Sequence, residues 1–227
     1  MLRFLPLATL TACATMNGAR PLERGQHAFG ATVGGGLMNL GAPIPIPNVV
    51  LEGRHGLPEL AHRPFDLGYG LNATGLPFGL LAGHVGADWL LLPQARAWPA
   101  LSLTDRVFFA TNLLGLGSKI DPELEAWVTD QVEVTASWRV HGQLPYVSLS
   151  QYTDPATPAL TLTPALGFVL DPKTTDRGLA LQTELRWYGM SQPDEADTVT
   201  WVPGDLGVLG VTLGLSGTFD PHREERP

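Results

Sequence analysis

The stretch over residues 206–219 alternates between large apolar side chains and small or polar ones. Extended as a strand, it places one apolar set on a single face: Leu209, Val211, Leu213, Leu215 and Phe219. The opposite face carries Gly210, Thr212, Gly214, Ser216 and Thr218. A period of two is typical of a β-strand with one apolar face. The same pattern recurs upstream, so the chain predicts a series of antiparallel strands.

Ten segments of this kind follow one another between turns. Asp105 lies on the apolar face of the fifth segment, and we expect a β-bulge or a short turn there to change the register. The even number of strands would return the chain to the end at which it started. The ten predicted strands cover residues 27–40, 47–57, 65–74, 79–92, 99–112, 131–140, 144–152, 159–170, 179–190 and 207–219.

The two faces of these strands differ in a way that favours a lipid environment. The apolar faces carry Leu, Val, Trp and Phe, whereas the other faces are rich in Gly, Ala, Ser and Thr. Lys119 and Lys173 are the only lysines, and both fall between strands, although a water-exposed sheet usually carries more. Trp89, Trp138 and Trp187 fall near strand ends, where interfacial aromatic belts lie. The pattern predicts an all-β, antiparallel, up-and-down transmembrane β-barrel of about 10 strands, with 8 to 12 compatible.

A soluble barrel of the lipocalin type also alternates, with its apolar residues inside. In that alternative the three tryptophans belong to a soluble core and the protein is a periplasmic binding barrel. The pattern of a single sequence does not show which face of each strand points into the barrel, so the soluble alternative stays open at this point.

Composition and charge narrow the class further. The chain has 227 residues with 26 Gly and 20 Pro, which disfavours a helical protein. No run of uncharged apolar residues is long enough for a membrane-spanning helix. The net charge of −8 argues against nucleic acid as a partner.

The amino terminus has the features of a bacterial export signal. Arg3 precedes an apolar run, and Leu10-Thr11-Ala12-Cys13 then resembles the lipoprotein box, in which the cysteine receives the lipid. The resemblance implies a signal peptide over 1–12, lipidation of Cys13 and a lipidated tether over 13–26. Ala14 after the cysteine implies the outer rather than the inner membrane.

Over residues 27–219 the chain resembles the small outer-membrane β-barrel proteins of Gram-negative bacteria. Thr212, Gly214 and the final aromatic Phe219 are similar to the terminal-strand assembly signal of that family. The resemblance implies outer-membrane lipid and the barrel assembly machinery as partners. It also implies periplasmic amino and carboxyl termini, with residues 220–227 as a periplasmic tail. The longer connections over 113–127 and 191–205 would then face outward from the cell.

The inward faces supply the candidate functional residues. A lumen of about ten strands is narrow, and opposite charges in it should pair, mostly across strands. The leading prediction is a largely closed lumen in a protein with a structural or surface-interaction role, and the alternative is a narrow pore for small solutes. The predicted lumen charges are Glu52, Arg54, Asp66, His84, Asp88, Glu133, Arg139, Glu184 and Arg186.

Nothing in the sequence predicts an enzyme. His84 and Asp88 lie four residues apart on one strand, about 13 Å, which is too far for a His–Asp hydrogen bond. There is no Gly-x-Ser-x-Gly elbow and no His-Glu-x-x-His motif. The histidines form no metal-ligand spacing, and no cofactor is predicted.

Overall fold

The computed structural model describes eight stretches of the chain. The predicted signal peptide, Cys13, and most of both predicted long loops and of the tail lie outside them. The described residues are 18–39, 42–45, 47–112, 126–154, 157–170, 177–188, 202 and 207–220.

Eleven antiparallel strands are present in the described part of the chain, and ten of them form a closed barrel. Each wall strand pairs with its neighbour in sequence, and β11 pairs with β1 to close the wall. The short β2 pairs only with β1, and a single 3₁₀ turn covers Leu76–Phe78. The strands are β1 (His27–Asn39), β2 (Pro43–Pro45), β3 (Asn48–Leu60), β4 (Arg63–Asn72), β5 (Leu80–Leu92), β6 (Ala100–Asn112), β7 (Ala126–Ser137), β8 (Gln143–Asp154), β9 (Thr157–Leu170), β10 (Arg177–Tyr188) and β11 (Val208–Phe219).

This architecture confirms the predicted all-β, antiparallel, up-and-down barrel of ten strands. Strands β3, β5, β7 and β9 end at one end of the barrel, called here the short-turn end. Strands β6 and β10 end at the opposite end, called the long-loop end. No helix in the described part of the chain has the length and apolarity to cross a membrane.

The alternation along the strands separates two environments. Outward side chains are large, apolar and exposed, as Val85, Leu181 and Leu213 illustrate at 53%, 52% and 51% exposure. Inward side chains are mostly polar or charged and buried, as Glu133 and Arg186 illustrate. This polarity is the reverse of that in a soluble barrel, whose apolar residues fill the interior.

Asp105 differs from the prediction. The register of β5 against β6 shifts only between Leu90 and Leu92, before the strand reaches Asp105, so no bulge turns this residue inward. Asp105 stays on the outer face, where it is exposed.

Candidate functional site

The lumen contains two clusters of buried charge. In the first, called the Arg54 cluster, the Arg54 guanidinium lies 2.6 Å from Asp66 Oδ2 and 2.9 Å from Asp88 Oδ2. Thr104 donates its hydroxyl to Asp88 Oδ1. Four neighbouring strands, β3 to β6, supply these four side chains. One arginine therefore forms ion pairs with two carboxylates from different strands, as expected where an isolated buried charge is costly.

The second group, called the Arg186 cluster, lies on the other side of the lumen. Arg186 Nε donates to Glu184 Oε1 at 2.7 Å, and Arg186 Nη2 donates to Glu133 Oε1 at 2.8 Å. The side chain of Arg186 is 2% exposed, and those of Glu133 and Glu184 are 0% and 1% exposed. Glu184 pairs within its own strand because residues two apart share a face, whereas Glu133 approaches from β7.

Hydroxyl groups complete the Arg186 cluster. Tyr146 donates to Glu184 Oε2 at 2.6 Å, and Ser148 donates to Glu133 Oε1 at 2.5 Å. Gln182 Nε2 donates to the Tyr146 hydroxyl at 2.8 Å. The ring of Tyr146 lies against Gly167 on β9, where a Cβ atom would overlap it. Glycine at 167 therefore makes room for the tyrosine that orients Glu184.

Arg106 connects the two clusters and is not among the predicted lumen charges. It faces the lumen from β6, with Nη1 3.7 Å from Glu133 Oε2. It also lines a small cavity of about 20 Å³ beside Arg54 and Asp88. A cavity of this size has room for about one water molecule.

An amino-terminal segment, residues 18–26, crosses the mouth of the barrel at the short-turn end, and we call it the strap. The backbone N–H of Leu22 donates to Asp66 Oδ2 at 2.6 Å, and Arg54 Nη2 donates to the carbonyl oxygen of Arg20 at 3.0 Å. The strap thus binds directly to the Arg54 cluster. The predicted tether over 13–26 is therefore docked at the mouth of the barrel over residues 18–26, and its residues 13–17 lie outside the described part of the chain.

The two ends of the strap are fixed to opposite sides of the wall. Gly25 and Gly56 on β3 are joined by a backbone hydrogen bond of 3.0 Å, and a Cβ atom at Gly56 would overlap the carbonyl of Glu23. Ala19 is fully buried in an apolar cluster with Leu144, Tyr146, Val169 and Ala180 of β8 to β10.

Arg20 fixes the strap to the turns. Its guanidinium donates to Ser137 Oγ at 3.0 Å and to Gln94 Oε1 at 2.6 Å. Burial and, to a lesser degree, the positive charge of Arg139 lower the pKa of Arg20. The strap is therefore bonded at both ends and in its middle, and it covers the lumen at this end.

Eight of the nine predicted lumen charges face the lumen, and Arg139 does not. β7 ends at Ser137, so Arg139 is exposed in the following turn, where its backbone N–H donates to Gln94 Oε1 at 2.7 Å. The prediction of Arg139 as a lumen charge is wrong because the predicted strand continues to residue 140, whereas β7 ends at Ser137. Glu52 and His84 line the small cavity beside Arg54.

His84 and Asp88 do not come together. The imidazole of His84 packs against Phe108 with ring centroids 5.5 Å apart, whereas Asp88 is bound to Arg54 and Thr104. Within the described residues, no group of three or more His, Cys, Asp or Glu side chains is placed to hold a metal ion. The lumen charges of the two clusters thus form ion pairs with one another, although the described residues offer no hydrogen-bond partner to the buried atoms Asp66 Oδ1 and Arg54 Nε.

No protein-family model matches the chain. No curated protein matches it in sequence. Among solved structures, it is similar to the transport unit of the autotransporter AIDA-I from Escherichia coli, at 9% sequence identity and a TM-score of 0.39. The alignment covers 94% of this chain and 96% of that one. At this level of identity the likeness carries no information on function.

Proposed function

We propose that the protein is an outer-membrane β-barrel with a largely closed lumen and a structural or surface-interaction role. The observation that carries the proposal is the reversed polarity of the barrel. Charged residues such as Arg186 and Glu133 are buried inside, whereas leucines and valines cover the outside. In water this arrangement would expose an apolar surface and bury costly charge, but in lipid both placements are favourable.

The dimensions of the apolar band suit a bilayer. On β10, exposed leucines begin at Leu179, and Trp187 lies eight residues further along the same face. These residues span about 20 Å along the barrel axis, at about 3.3 Å each on a strand tilted by about 40°. Outer-membrane barrels have an apolar band about 25 Å tall, which is similar.

Tryptophans lie at both edges of this band. At the short-turn end, the indole N–H of Trp89 donates to the carbonyl of Leu60 at 3.1 Å, and that of Trp138 donates to the carbonyl of Ala97 at 3.1 Å. Trp187 lies at the long-loop end of β10. Indole rings with one hydrogen-bonded edge are typical of membrane–water interfaces.

The orientation we propose places the short-turn end in the periplasm. The strap and Asp220, which follows β11, both lie at this end, so periplasmic termini are consistent with the structure. The barrel assembly machinery would insert the protein, as the family resemblance implies. We further propose that the protein has no enzymatic activity and that its extracellular loops form its interaction surface.

We predict that the purified protein conducts poorly. The strap, the two charged clusters and the small size of the cavity leave little space for ions. Planar-bilayer recordings of the reconstituted full chain should therefore show no steady conductance above background. A stable, ion-selective open channel would instead support a narrow pore.

The membrane assignment has its own test. On cell fractionation, the protein should be recovered in the outer-membrane fraction. After extraction with detergent, the barrel should change its gel mobility on heating. Recovery of the protein in the soluble periplasmic fraction, without detergent, would favour the lipocalin-like alternative.

We predict that the mature protein begins at Cys13 and carries a lipid there. The motif Leu10-Thr11-Ala12-Cys13 after the apolar run supports this. Intact-mass measurement of the protein purified from membranes should show the lipid adduct on a chain starting at Cys13. An unmodified chain starting elsewhere would contradict the prediction.

A further inference from the structure

Two histidines face outward at the short-turn end, where the wall closes. His27 is the first residue of β1 and lies directly opposite His55 on β3. Their Nδ1 atoms are 2.6 Å apart, and their ring centroids are 4.9 Å apart at an interplanar angle of 72°. Both side chains are half-buried, and neither belongs to the lumen clusters described above.

Aromatic neighbours hold both imidazole rings in place. The ring of His27 stacks on Phe219 of β11, with centroids 5.3 Å apart, and the ring of His55 stacks on Tyr69 of β4, with centroids 5.6 Å apart. Phe29 contacts the ring of His55 edge-on. Four wall strands thus position the pair, so little side-chain freedom would be lost when the rings bind a ligand.

The other ring nitrogen of His55 also has a partner. His55 Nε2 is 3.2 Å from the Tyr69 hydroxyl oxygen. When Nε2 carries the proton and donates it to Tyr69, the lone pair of His55 is on Nδ1, facing His27. Metal-binding histidines commonly donate their second N–H in this way, which fixes the tautomer of the ligand.

The spacing of the two Nδ1 atoms suits a metal ion. Imidazole nitrogens bind a divalent transition metal at about 2.0–2.1 Å, so two adjacent ligands at a right angle are about 2.9 Å apart. At a tetrahedral angle they would be about 3.3 Å apart. The observed 2.6 Å is a hydrogen-bond distance, so the two nitrogens would have to separate by about 0.3 Å for the first arrangement and by about 0.7 Å for the second. The smaller movement belongs to the square-planar or tetragonal geometry that Cu²⁺ prefers.

We propose that His27 and His55 form a two-imidazole binding site for a divalent transition-metal ion, best matched to Cu²⁺. Both Nδ1 atoms coordinate the ion after the proton between them moves to Nε2 of His27, and water fills the other positions. Tyr69 is a positioning residue that holds His55 in the binding tautomer. The proposal does not depend on the membrane assignment.

The test is Cu²⁺ titration of the detergent-purified full chain, followed by electron paramagnetic resonance. The background carries His222→Gln, which removes a tail imidazole as a competing ligand. We expect one tightly bound Cu²⁺ per chain, with hyperfine splitting from two nitrogens. His27→Gln and His55→Gln should each remove the two-nitrogen pattern and weaken binding by about 100-fold or more, whereas Tyr69→Phe should keep the pattern and weaken binding about tenfold.

His62→Gln and His141→Gln are the matched controls, because both histidines are exposed in turns at the same end. They should leave the affinity and the spectrum unchanged. A second measurement needs no variant at the site: Cu²⁺ should protect His27 and His55, but not His62, from diethyl pyrocarbonate. The absence of stoichiometric binding, or a two-nitrogen spectrum that persists in both His27→Gln and His55→Gln, would overturn the proposal.

Discussion

Replacing Arg186 with alanine is expected to lower the free energy of unfolding by about 3–5 kcal/mol. Arg186 contacts Glu133 at 2.8 Å and Glu184 at 2.7 Å, and all three side chains are almost completely buried. The variant would leave two carboxylates close together without this guanidinium. Most of the cost would be the desolvation and mutual repulsion of these acids rather than the lost hydrogen bonds. Urea unfolding of the protein in lipid vesicles, followed by tryptophan fluorescence, measures the effect.

Two further variants show whether the effect comes from the cluster. Arg139→Ala removes an exposed arginine from a turn and should change stability by no more than about 0.5 kcal/mol. Adding Glu133→Gln and Glu184→Gln to Arg186→Ala should restore much of the lost stability, because the uncompensated charges are then gone. If Arg186→Ala instead changed ion selectivity with little loss of stability, the charges would line water and the closed-lumen proposal would fail.

The second large effect is expected from a charge placed on the outer face. Leu213 is 51% exposed in the middle of β11, opposite Val33 of β1. Leu213→Arg should destabilise the barrel by about 2–4 kcal/mol if this position lies at the bilayer midplane. Reversible unfolding from vesicles gives the free-energy difference directly.

Leu179→Arg is the matched control for Leu213→Arg. Leu179 is similarly exposed, at 57%, but lies near the short-turn end of β10. Near the interface the same substitution should cost only about 0–1 kcal/mol. In a soluble barrel both positions would face water, and both substitutions would be nearly neutral. Equal, small effects at the two positions would therefore exclude the membrane assignment.

The alternation of side chains was sufficient to predict much of this barrel. Because the side-chain period of a strand is two, one correctly placed residue fixes the direction of all the others on that strand. Glu184 and Arg186 were assigned to the lumen in this way, and so was Glu133. Their partners could not be predicted, since the pairing of Arg186 with Glu133 depends on the relative stagger of strands that are far apart in sequence.

Three features were missed for physical reasons. Asp105 interrupts the apolar face of its strand, so a change of register was expected there. With that change expected, the inward direction of Arg106 could not be predicted. Arg139 continues the alternation of β7 in sequence, but hydrogen bonds between its backbone and the Gln94 side chain hold it in a turn. The strap has no periodicity, because its structure depends on contacts with the lumen, such as that between Leu22 and Asp66.

The docking of the strap sets the reach of the proposed lipid anchor. A free tether over residues 13–26 could extend by about 45 Å, whereas docking of 18–26 leaves residues 13–17, which can extend by about 17 Å at most. A lipid on Cys13 would then have to insert close to the rim of the barrel, within reach of Gly18. Ala19, the next residue, packs against β8 and β9. The lipid on Cys13 would therefore insert beside this part of the wall and remain there as the protein diffuses in the membrane.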